Sequence, residues 1–213
     1  MSNPVKTMTE ERIYLYPVWI RLWHLLNAIV CLTLIITGIS MQFSNPKFPM
    51  IRFNVAVTIH NVAGIVLCIS YILFFIGNLL TSNGKYYKPV ISGFFNRLKT
   101  QFIYYTLGLF KGKTPPYPVT LERKFNPLQQ VTYIGTMYFL IPLSFITGLA
   151  MLYPEIIPVR IFWSSGLHFT DLIHITAGFL ISVFMVIHIY FCTIGTTPVS
   201  NFKSMIDGYH EAH

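Results

Sequence analysis

His174 and His188 stand fourteen residues apart inside one apolar stretch, LIHITAGFLISVFMVIHIYF. A helix rises about 21 Å over fourteen residues and turns through roughly 1,400°, within about 40° of a whole number of turns. Both imidazoles therefore point to the same side, one near each end of a segment long enough to cross a bilayer. An apolar span has no cheap use for an imidazole, so each ring needs a partner. Two further histidines, His24 and His60, lie near the ends of two other apolar segments.

Composition fixes the solvent. The chain of 213 residues is 54% hydrophobic and only 10% charged, against about 25% charged in soluble domains. Its 18 Phe and 13 Tyr suit lipid-facing and interfacial positions. Roughly 20 apolar residues cross the hydrocarbon core, and four segments qualify: about Val18–Met41, Asn54–Leu80, Val131–Leu152 and Asp171–Ile194. The expectation is an all-α integral membrane protein, a bundle of four transmembrane helices in a single domain. The first connection holds Pro46 and Pro49, and the third, Tyr153–Thr170, holds Pro154 and Pro158. The second, Thr81–Gln130, is long and broken by five prolines. Part of it, Ser92–Leu109, fits an amphipathic helix lying in the interface, with Arg97 and Lys99 facing headgroups. The first seventeen residues are polar and include Glu10 and Glu11, so they do not read as a signal peptide. Cys31, Cys68 and Cys192 fall inside apolar segments without a C-x-x-C spacing. They read as buried free thiols, which leaves covalent c-type haem and iron–sulfur clusters without ligands.

Orientation follows the positive-inside rule. Twelve of the fifteen lysines and arginines fall on the side of the termini and the long loop, and three, Lys47, Arg52 and Arg160, on the other. Both termini and the 81–130 loop are then cytoplasmic. The net charge of +8 is a topology signal, and no basic groove for nucleic acid is apparent. Depth now pairs the histidines. His24 enters early in an outward helix and His188 late in an inward one, so both are cytoplasmic. His60 and His174 are both outer. Haem iron takes axial imidazole readily, and two such pairs suggest two bis-histidine b-type haems stacked across the membrane. The two pairs lie too far apart for one zinc ion. Gly64 and Gly178 each follow a histidine by four residues and share its face. Gly38 follows His24 by fourteen. Missing side chains there would admit a flat macrocycle, or simply allow close helix packing. His168 reads as a loop residue nearly opposite His188 in phase. His210 and His213 lie on a polar tail and read as solvated. A haem-free anchor with structural or proton-conducting histidines, or a small transporter, stays open as the alternative.

Four stretches carry a resemblance: RLWHLLNAIVCLTLIITGIS, IHNVAG, KFNPLQQVTYI and LIHITAG with VIHIY. They resemble the di-haem cytochrome b subunit of membrane-bound respiratory oxidoreductases, the family serving formate dehydrogenase, nickel–iron hydrogenase and thiosulfate reductase. The resemblance runs from about Tyr14 to Gly208. It implies that His24, His60, His174 and His188 ligate two haem b groups. It implies a quinone site, for menaquinone or ubiquinone, on the cytoplasmic side beside the inner haem, with Asn126 and Gln129 as its polar residues. On residue chemistry alone, Asn126-Pro127 equally reads as a helix cap. Pro127 and Leu128 look more like the hydrogenase and thiosulfate reductase branches. Arg21, one turn from His24, and Arg52 would meet haem propionates or act as snorkelling anchors. The implied partners are an iron–sulfur or multihaem electron-transfer subunit and a catalytic subunit on the outer face of a bacterial inner membrane. Substrate chemistry would belong to those subunits, with quinone oxidised or reduced at this one.

Overall fold

In lipid every backbone N–H and C=O must bond within its own segment, and the apolar runs of this chain accordingly form helices. The computed structural model describes residues 12–45, 47 and 50–211. Lys6, Glu10, Glu11, Pro46, Pro49 and His213 lie outside the described residues. Four helices are long and apolar enough to cross a membrane. Helix α1 is Val18–Gln42 and α2 is Phe53–Leu80. The third span, Pro127–Leu152, is composite: α4 (Pro127–Gly135), a π turn at Thr136–Leu140, and α5 (Ile141–Leu152). The fourth is α6, Gly166–Cys192, after the short helix α3, Phe94–Ile103, has crossed the long loop.

Local chemistry explains the boundaries. Asn126 caps α4 with a full capping box, and Pro127 occupies the first helical turn, where its missing N–H is no loss. The span thus begins four residues before the apolar run. Pro142 lies in the first turn of α5. It cannot donate to the carbonyl four residues back, and the π turn that precedes it absorbs the misfit. Helix α6 also begins earlier than the apolar run. The Gly166 amide donates to the Val159 carbonyl (3.1 Å), closing a two-strand hairpin of β2 (Arg160–Ile161) and β3 (Ser164–Ser165). The expectation of a loop around His168 is therefore corrected: His168 stands exposed in the first turn of α6. The interfacial helix is shorter than expected, since a π turn at Tyr104–Gly108 and a tight turn at Leu109–Lys111 follow α3. Arg97 there bonds the Val90 carbonyl.

The two described ends meet. Strand β1, Arg12–Tyr14, pairs antiparallel with β4, Tyr209–Glu211, Ile13 opposite His210. The tail histidine expected in solvent is thus a half-buried strand residue. Between them, α7 (Ser200–Asp207) turns at Gly208, whose φ of +89° suits glycine. The Gly208 carbonyl accepts from Leu15 and Tyr16 amides, and Arg12 pairs with Asp207. Both described ends therefore lie at one end of the bundle, called here the terminal end, and the β2–β3 hairpin marks the other.

Helices α1 and α2 form one packed pair, and α5 and α6 the other. They meet through α2 with α5 and α1 with α6. The seam between them is Val30, Cys31, Ala63, Leu67 and Ile141. Outward-facing Leu25, Ile72, Phe179 and Val186 remain exposed, the face that lipid covers. Cys31, Cys68 and Cys192 are free, as expected.

The fold places the 111–124 loop and the β2–β3 turn on opposite faces of a bilayer. Single cysteines at Lys113 and at Trp163 should react with a membrane-impermeant maleimide from opposite sides of sealed vesicles. Labelling of both from one side would break the four-span arrangement.

Candidate functional site

The four intramembrane histidines come together as two pairs, each joining one helix of the first hairpin to α6. The ring centres of His24 on α1 and His188 on α6 lie 6.1 Å apart at the terminal end. Those of His60 on α2 and His174 on α6 lie 6.2 Å apart at the hairpin end. Two imidazoles that ligate one metal from opposite sides, each nitrogen about 2 Å from it, hold their centres about 6 Å apart. A direct N–H···N bond, with nitrogens about 3 Å apart, would draw the centres in to about 5 Å. Both pairs thus have the spacing of axial ligands with a metal between them. A side chain added at Gly64 or Gly178 would meet no atom within 4 Å. There is open space on the faces of α2 and α6 next to the histidines. The residues present fit a haem at each pair.

Three of the four rings have partners that set their orientation. Thr37 Oγ1 lies 2.9 Å from His60 Nδ1 and also 2.7 Å from the Thr33 carbonyl. Thr147 Oγ1 lies 3.0 Å from His174 Nδ1 and 2.7 Å from the Leu143 carbonyl. A hydroxyl has one hydrogen. Here it goes to the carbonyl one turn back, so each threonine accepts from an Nδ1–H. That tautomer leaves Nε2 with its lone pair, the form a metal needs. Glycine follows each threonine. A Cβ at Gly38 would touch His60 Cε1 at 3.6 Å, and one at Gly148 would crowd His174 Cε1 at 3.1 Å. Each ring at the hairpin end therefore rests in an equivalent Thr-Gly cradle. Sequence reasoning missed both threonines and Gly148. The signal was present: Ile-Thr-Gly occurs at 36–38 in the first span and again at 146–148 in the third. At the terminal end, His188 Nδ1 lies 3.2 Å from the Tyr133 hydroxyl and its Nε2 3.8 Å from Cys192 Sγ. Phe184 stacks on the ring.

The remaining expected residues are placed as follows. Asn126 is buried. Its Oδ1 accepts from the Gln129 amide (2.9 Å), and its Nδ2 donates to the Tyr105 hydroxyl (2.7 Å). Gln129 Oε1 returns to the Asn126 amide (3.1 Å). The capping role is realised at the start of α4, about 10 Å of helix rise before Tyr133, which reaches His188. Arg21 donates to the Ile206 carbonyl, latching α7 to α1. Arg52 is exposed at the start of α2, where its carbonyl accepts from Ala56. Neither contacts a histidine pair through a bond described here.

Lys124, counted in the sequence only as a loop cation, is 5% exposed. Its amine donates to Asn83 Oδ1 (3.3 Å) and lies 4.5 Å from the Tyr16 ring centre and 5.5 Å from that of Tyr86. Burial pushes the ammonium down to about 8 and the Tyr16 phenol up to about 12. Asn83 continues to Asn78 (2.7 Å) and Asn78 to the Tyr138 hydroxyl (3.2 Å). A buried polar network thus closes the terminal end.

Over most of its length the chain is similar to known proteins. The family model described as prokaryotic cytochrome b561 matches residues 15–208. A protein of Escherichia coli (strain K12) named "Putative cytochrome YdhU" is 38% identical over 204 residues, covering 94% of this chain and 75% of that one.

Replacing Thr147 with Val keeps the shape and removes the acceptor for His174. Haem retained at the hairpin end should become easier to extract, by about ten- to a hundredfold in affinity, while Thr147→Ser should behave as wild type. Equal retention in all three proteins would deny the threonine its orienting role.

Proposed function

We propose, from the premise that this chain belongs to the prokaryotic cytochrome b561 family, that it carries electrons across the bilayer through two b-type haems. Membership makes it a membrane-bound, haem-containing electron-transfer protein. The finer reading puts one haem between His24 and His188 and the other between His60 and His174. The observation that carries it is the 6.1 and 6.2 Å separation of the two ring pairs, repeated at two depths on α6.

The imidazoles of each pair would hold the haem, which would supply one-electron transfer there and, with both rings bound, leave no site for oxygen or small substrates. Thr37 and Thr147 hold the outer rings in the ligating tautomer, and Tyr133 orients His188 at the terminal end.

The terminal end is read as cytoplasmic, from the excess of lysine and arginine there, in a bacterial inner membrane. A quinone, menaquinone or ubiquinone, exchanges electrons at the inner haem near the start of α4. Asn126 gives its oxygen to the cap and one amide hydrogen to Tyr105, which leaves its second N–H and the Gln129 amide nitrogen as donors for a quinone carbonyl. A quinone that gains two electrons takes up two protons, here from the cytoplasmic side. Electrons that arrive from the outer face then cross the membrane potential, worth about 2.3 kcal/mol per charge per 100 mV. The outer-face partner is an iron–sulfur or multihaem subunit bound to a catalytic subunit, and the hairpin end near His60 and His174 is where it docks. Substrate chemistry is carried out there.

The purified protein should release two non-covalent haems into acid–acetone. His60→Ala and His174→Ala should each remove the haem at the hairpin end. His24→Ala and His188→Ala should remove the other, and His168→Ala should spare both. A single haem in the wild type, or loss on changing His168, would sink the assignment.

Gln129→Leu should leave both haem spectra unchanged and slow electron exchange with quinone, with exchange at the outer face unaffected. The lost bond contributes about 1 kcal/mol net. Wild-type quinone kinetics in this variant would leave Asn126 and Gln129 as a helix cap alone.

A further inference from the structure

We propose that Lys124 is a carboxylate-binding residue whose ammonium receives a propionate of the haem held at His24 and His188. The proposal rests on the two-haem reading above.

A buried ammonium needs an anion, because taking a bare charge from water is costly. Lys124 sits where the start of α1, the turn after α2 and the entry to α4 converge, and it is nearly solvent-free. Among the described residues no carboxylate reaches it. Asp207 pairs with Arg12 and Glu211 accepts from Thr196 at the surface. Glu155 and Asp171 belong to the hairpin end, and Glu122 is exposed. What the protein offers is one neutral amide oxygen, at 3.3 Å, and two tyrosine faces. The lowered proton affinity of the amine has the direction of a charge short of a counter-ion.

The missing anion belongs beside the inner histidine pair. Lys124 lies over the ring of Tyr16, which leads directly into α1, the helix that carries His24. The next residue, Phe125, packs on Tyr133 with ring centres 4.8 Å apart, and Tyr133 reaches His188. Arg21, the other cation close in sequence to His24, gives one donor to the neutral Ile206 carbonyl and keeps a buried Nε without a partner, so it stands open to the second propionate. A b-type haem carries two propionates, and at this end Lys124 is the buried cation placed to take one. A carboxylate there would also restore the amine to full protonation.

The test is a redox titration of the haem-loaded protein. Lys124→Gln should keep both haems and their low-spin spectra, because no axial ligand changes. The midpoint potential of the inner haem should fall, since removing a positive charge favours the ferric state. It should also gain a dependence on pH as the freed propionate titrates. The outer haem should not move, and Lys124→Arg should restore the wild-type potential. Independently, loading the wild type with haem dimethyl ester should shift the inner potential, and the same ester in Lys124→Gln should add little further shift. An inner-haem potential and pH dependence unchanged by Lys124→Gln, or equal ester shifts in both proteins, overturns the proposal. So does unchanged inner-haem behaviour combined with lost binding of a quinone-site inhibitor, which would give the amine to the quinone. Absence of haem from the wild type would fail the two-haem reading itself, an outcome distinct from all of these.

Discussion

An imidazole inside a bilayer has no water to bond, and that deficit organises this molecule. Helix α6 carries two such rings in phase, one toward each end, so two other helices must each bring a matching ring to its face. Helix α1 does so near the terminal end and α2 near the hairpin end. The two helical hairpins are thereby fixed in register against each other. Apolar packing between them at Val30, Ala63, Leu67 and Ile141 fills the level between the pairs. It would not by itself set rotation or depth, because lipid is as apolar as the packed side chains.

The two ends hold their histidine rings with different chemistry. At the hairpin end each ring lies on a threonine that has already given its hydrogen to the helix, with a glycine beside it for clearance. That arrangement is compact, neutral and rigid. At the terminal end the neighbours are a phenol, a thiol and a buried amine, closed by the β1–β4 ribbon and the α7 latch.

The prolines and asparagines that interrupt the apolar pattern prove to be structural first. Asn126 and Pro127 start α4, and Pro142 is accommodated by a π turn in the middle of a span. Any further role for the cap residues has to coexist with bonds already made.

The number of spans, their approximate limits, the free cysteines and the pairing of His24 with His188 and His60 with His174 were legible in the sequence. Length and helical period decide those features in an apolar solvent, and neither depends on which residues are distant neighbours. The Ile-Thr-Gly repeat was legible too, though its meaning was not, because nothing local says which imidazole a threonine will face. Only the tertiary structure decided that Arg21 bonds Ile206, that Lys124 is buried between Tyr16 and Asn83, that His168 opens α6, and that His210 pairs in a strand. Each depends on where segments far apart in the chain converge at the ends of the bundle. There polar side chains choose among several nearby partners, and packing geometry, which sequence periodicity does not encode, makes the choice.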